Sequence, residues 1–133
     1  MPARLASFVA VLALSIHGPV MAQSAYVWEE LGSDDGMTIS YNPLTVRHTS
    51  GRVTFLEKVS YSTPQPLGDG VSQGYYTVDI TIDCAANTYQ HANYTAYTAE
   101  GTVIPGAADS TPAGMNPIAP GGAPSAFKAK FCT

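Results

Sequence analysis

Outside residues 1–22 the chain carries two histidines, His48 and His91, and little else suited to moving a proton. Asp79 and Asp83 lie on one candidate strand, about 13 Å apart at the rise of an extended chain. That is too far to share a proton or to act as the close carboxylate pair of a retaining glycosidase. His91 falls on the next strand and meets one of them only if the register allows. A surface imidazole beside a surface carboxylate is the plainer reading. Asp34 and Asp35 precede Gly36, which suits a solvated hairpin turn better than a calcium site. No GxSxG elbow, HExxH pair, phosphate-cradling glycine loop or EF-hand spacing occurs. The expectation is a non-enzymatic protein with no metal and no cofactor.

Tyrosine and cysteine are more informative. Tyr75, Tyr89, Tyr94 and Tyr97 fall around a single candidate hairpin. Tyrosine presents an apolar body with a polar tip and is enriched in interfaces, so these four are the candidate protein-binding residues; packing on the sheet is their competing role. Cys84 and Cys132 are the chain's two cysteines. In an oxidising compartment an even pair implies a disulfide, and no CxxC or Cys/His spacing offers a metal site instead.

The elements that must position these residues read as strands. Thirteen threonines and eight tyrosines, with Val and Ile, suit a pleated, half-buried surface. Tyr26–Leu31, with the single tryptophan Trp28, and Met37–Asn42 flank the polar turn 32–36 as a hairpin. Arg52–Tyr61 sets Val53, Phe55, Val59 and Tyr61 on one face, with Glu57 as the exception, and Thr54, Leu56, Lys58 and Ser60 on the other. Thr63–Ser72, with two prolines and two glycines, reads as a loop. Tyr75–Cys84 alternates most strictly: Tyr76, Val78, Ile80, Ile82 and Cys84 face inward, and Tyr75, Thr77, Asp79, Thr81 and Asp83 face water. In Thr88–Thr98, Tyr89 and Tyr97 have the opposite parity to Tyr94, which calls for a bulge or twist between them. A short strand over Thr102–Ile104 follows. Pro105–Pro124, with five prolines and four glycines, reads as an extended excursion. Ser125–Cys132 forms two helical turns capped by Ser125, which the disulfide clamps onto the inner face. The fold expected is α+β: a five- or six-stranded antiparallel sheet with one short C-terminal helix tethered by a disulfide.

The N-terminus reads as an export signal. Arg4 precedes Leu5–Ile16, which is apolar except for Ser7 and Ser15, and Gly18-Pro19 and Val20-Met21-Ala22 follow. Cleavage is expected after Ala22, with Ser24 as second choice, leaving 23–133 as a single domain in the periplasm, secreted or at the cell surface. No cysteine near the cleavage region offers a lipid anchor, and no later stretch is apolar enough to span a bilayer as a helix. With Arg4 in the leader, five basic residues face ten acidic ones, a formal charge of −5. So acidic a domain has no electrostatic footprint for nucleic acid.

Several pieces, in order, resemble the surface-adhesin protein E-like domain of bacterial envelope proteins. They are Trp28 followed by Ser33–Gly36, the run Tyr41-Asn42-Pro43-Leu44-Thr45-Val46, and Gly51-Arg52. Ile82-Asp83-Cys84 with Tyr89 soon after, Pro117–Gly121, and a terminal helix ending in Cys132 complete the set. The resemblance implies an antiparallel sheet with a disulfide-tethered helix, and an adhesin that binds host matrix or plasma proteins such as vitronectin and laminin and forms a homodimer. The acidic charge on a disulfide-tied β domain suggests a second class, a periplasmic inhibitor of a cationic hydrolase such as lysozyme.

Overall fold

A computed structural model describes residues 27–133. The leader 1–22 and the start of the first strand at Tyr26 lie outside the described residues. Within them the chain forms one antiparallel sheet of seven strands and one α-helix. The strands are β1 (Glu29–Asp34), β2 (Met37–Tyr41), β3 (Arg47–Thr49), β4 (Arg52–Gly68), β5 (Val71–Asp83), β6 (Thr88–Tyr97) and β7 (Asn116–Pro117). The helix α1 covers Ala123–Phe131. The spatial order is β1-β2-β4-β5-β6-β7, and β3 also pairs with β4. The two strands beyond the expected number with regular pairing are β3 and β7, the shortest of the seven.

Three hairpins turn on the same chemistry. Asp35-Gly36, Ser50-Gly51 and Asp69-Gly70 each put two successive residues at positive φ, between 45° and 77°. That is the twist a two-residue antiparallel turn demands, and glycine meets it without a Cβ clash. The third corrects the loop expected over Thr63–Ser72. β4 continues to Gly68 and β5 starts at Val71, with Gln65 opposite Gln73 and Pro66 opposite Ser72. β2 pairs with β4 only as far as Tyr61. Pro64 and Pro66 therefore lie where β4 outruns that neighbour, at an edge that tolerates a missing N–H.

The core lies on the inner face. Val53 and Phe55 from β4 meet Val78, Ile80 and Ile82 from β5, with Tyr41 from β2, and α1 closes over them with Phe127. Phe127 is fully buried, with its ring 4.5 Å from that of Phe55 and 5.9 Å from that of Tyr41. Burial of such a side chain is worth about 1.5–3 kcal/mol, and aromatic pairing adds roughly 0.5–1.5 kcal/mol. Cys84 and Cys132 form the expected disulfide, with Cα atoms 5.6 Å apart. The helix begins earlier than expected: Gly122 is its N-cap, Pro124 occupies the first turn, and Ser125 is not the cap. Proline's fixed φ suits that turn, where its absent N–H would have had no partner.

The excursion after Pro105 runs back along β6. Tyr94 and Asp109 exchange backbone hydrogen bonds of 2.7 and 2.8 Å, Ala113 donates to the His91 carbonyl at 2.8 Å, and β7 completes the return. The strand expected over Thr102–Ile104 reduces to a bridge between Tyr97 and Val103, with Ile104 buried beside Ala96.

Candidate functional site

The bulge that the tyrosine parity called for sits at Asn93. Between Thr77 and Asp79 the β5–β6 register shifts, so that Thr77 faces Thr95 while Asp79 faces Ala92. Asn93 takes up a φ of 55° and donates to the Asp79 carboxylate at 2.6 Å. One extra residue reverses the parity of everything beyond it. The four candidate tyrosines therefore do not form one surface. Tyr89 and Tyr94 lie on the inner face and pack against the core, whereas Tyr75 and Tyr97 lie together on the outer face.

On the outer face Tyr75 and Tyr97 stack, with centroids 4.7 Å apart and planes 11° from parallel. Lys58, on the neighbouring strand β4, sets its ammonium 4.5 Å from the Tyr75 centroid and 5.3 Å from the Trp28 centroid. A cation over these rings is drawn to the negative π face. Burial among them pushes the Lys58 ammonium below its ordinary pKa. Trp28, Lys58, Tyr75, Thr77, Tyr97 and Gly101 together line a cavity of about 320 Å³. The helix lies on the opposite face, so this cluster is the outer surface of the sheet. Lys58 and Trp28 were not among the expected binding residues. The alternation of β4 did assign Lys58 to the outer face, but its meeting with Trp28 depends on strand order.

The inner pair has a different setting. Tyr94 lies 5.0 Å from Tyr76, and its hydroxyl accepts a 2.8 Å hydrogen bond from the Gln73 amide. Tyr89 meets His91 edge-on at 5.2 Å. Glu57, opposite Tyr41 on β2 and Val78 on β5, is 7% exposed. Burial pushes its carboxyl up to about 7.

His91 meets neither Asp79 nor Asp83. It stands opposite Ile80 on the inner face, while Asp79 faces outward and is held by Asn93. Asp83 accepts from Arg52 Nε at 3.3 Å and from the Ala86 amide at 3.0 Å. The alternation of β5 separates these groups, because Ile80 and Asp79 are neighbours on opposite faces. Asp34 ends β1 and Asp35 enters the β1–β2 turn.

No helix among the described residues is long and apolar enough to cross a membrane. No curated protein and no solved structure matches the chain. A family model described as surface-adhesin protein E matches residues 28–133, from the tryptophan of the outer cluster to the last residue beyond the disulfide. The chain belongs to the surface-adhesin protein E family.

Proposed function

We propose that this protein is a non-enzymatic envelope module that binds a host matrix protein, such as vitronectin or laminin, through the outer face of its sheet. The observation that carries this reading is the cluster of Trp28, Lys58, Tyr75 and Tyr97 on the face opposite the helix, in which two rings hold one cation and the third stacks on Tyr75. Interfaces concentrate their energy in such aromatic anchors and their immediate surroundings. Export follows from the leader Met1–Ala22, with residues 23–133 as the mature domain, and a homodimer would present the cluster twice. The charge-based alternative, inhibition of a cationic hydrolase, draws nothing from this site, whose one formal charge is a lysine.

The test is binding of the oxidised exported protein to immobilised vitronectin and laminin, with the Tyr75→Ala/Tyr97→Ala variant and reduced protein beside it. Saturable binding that falls at least about tenfold in the variant is expected, with circular dichroism checking its fold. Absence of saturable binding up to on the order of 10 μM, or equal binding by the folded variant, overturns the reading.

A further inference from the structure

A second recess lies on the other side of the sheet, between the inner face of β5 and β6 and the segment that returns along β6. It has a volume of about 280 Å³ and is lined in part by Tyr76, Val78, His91, Tyr94, Asp109 and Thr111. That is at the lower limit for small-molecule sites and fits one side chain better than a larger ligand. We propose that this groove receives an arginine side chain of a polypeptide partner.

The wall chemistry selects that group. Tyr76 and Tyr94 pack on one another with centroids 5.0 Å apart and planes 38° from parallel, a tilted aromatic pair on the groove wall. The Gln73 hydrogen bond to the Tyr94 hydroxyl fixes one of those rings. Asp109 supplies a carboxylate at the same recess; its Oδ1 accepts from the Thr111 amide at 2.8 Å, and a carboxylate retains further acceptor sites. A planar guanidinium stacks on tyrosine and forks onto a carboxylate, which a compact ammonium cannot do as well.

The cations among the described residues are engaged elsewhere. Arg47 donates to the Leu44 and Val46 carbonyls, Arg52 pairs with Asp83, Lys130 with Glu29, Lys128 bonds Asn87, and Lys58 is on the outer face. Desolvation lowers the His91 pKa from its ordinary value, which disfavours a second cation at the groove.

The test uses the oxidised protein and the blocked tripeptide acetyl-Gly-Arg-Gly-amide, followed by amide chemical shifts. Its counterparts carry citrulline, which keeps the shape without the charge, or lysine, which keeps the charge without the plane. Saturable shifts at Tyr94, Asp109 and Thr111 are expected, with affinity falling at least about tenfold for citrulline, severalfold for lysine, and about tenfold in Asp109→Asn. The asparagine retains the acceptor used by Thr111, and Asp34→Asn, at a remote turn, should leave binding unchanged. Equal response to citrulline or lysine, equal affinity of Asp109→Asn, unsaturable shifts, or shifts confined to the Lys58 cluster would each overturn the assignment. The groove and the outer cluster occupy opposite faces, so the outcome is independent of the matrix-binding experiment.

Discussion

Asn93 donates a 2.6 Å hydrogen bond to the carboxylate of Asp79 from a backbone φ of 55°, and this contact pins the bulge that sends Tyr94 inward and Tyr97 outward. A left-handed φ is tolerable for asparagine and costly for a β-branched side chain. Asn93→Val should therefore cost about 1–3 kcal/mol, and Asn93→Gly distinctly less, because glycine loses the hydrogen bond but keeps the backbone freedom. Urea denaturation of the three proteins measures the difference. Equal loss in both variants would mean that the side-chain bond, and not the backbone, maintains the bulge.

The disulfide joins the end of β5 to the residue after α1 across a sequence separation of 48. Closing a loop of that size restricts the unfolded chain by about 4 kcal/mol in the chain-entropy account. An isolated nine-residue helix would not persist in water, so tertiary attachment must sustain α1. Cys84→Ser/Cys132→Ser should lose several kcal/mol of stability, and its amide protection should fall first over Ala123–Phe131. Hydrogen exchange on both proteins checks this; protection of α1 equal to that of β5 in the variant would show that Phe127 packing alone retains the helix.

Glu57 contributes a pH-dependent share of the stability. Burial raises its carboxyl from an ordinary 4.5 to about 7, so the folded protein holds a proton that the unfolded chain has already released. Stability from this group is complete below pH 4.5 and is lost as pH rises toward and through 7, a change of about 3 kcal/mol. Glu57→Gln removes the titration. Against wild type, its relative stability should rise between pH 4.5 and 8 and level off beyond. Denaturation across that range reads the sign directly, and parallel curves would show that Glu57 ionises normally.

Much of this architecture was legible because local chemistry and global fold agree. Tyr76, Val78, Ile80 and Ile82 alternate with polar neighbours, and their face was readable without knowing any partner strand. The tyrosine parity conflict in β6 pointed to a bulge or a twist, and the register shift shows a bulge. The arm over residues 63–72 was misread because Pro64 and Pro66 outweighed Asp69-Gly70, although that dipeptide is itself a strong hairpin signal. Proline excludes only a paired interior position, and the end of β2 at the level of Tyr61 is a matter of tertiary register. The outer cluster was half legible for the same reason. Tyr75 and Lys58 were assignable to one face by alternation, but their approach requires β4 beside β5, and Trp28 joins them from outside the regular strands.

Gly74 connects stability to the proposed binding face. A Cβ on this residue would clash with the backbone of Ala99, in the turn that follows β6. That turn is closed by the Gly101 amide donating to the Thr98 carbonyl at 3.0 Å, and Gly101 also lines the outer cavity with Tyr75 and Tyr97. Glycine at 74 thus lets the turn settle against β5, where Tyr97 can stack on Tyr75. The obstacle in Gly74→Ala is backbone, not the end of a flexible side chain, so the turn must lift. The expected cost is about 1–3 kcal/mol, as for other overpacked sites. If the outer face binds matrix protein, the same variant should weaken binding even where denaturation shows it fully folded, because its damage is directed at the Tyr97 ring. Thermal unfolding together with vitronectin binding separates the two effects. Unchanged stability would show that the turn shifts freely, and reduced stability with undiminished binding would place the binding surface away from Tyr97.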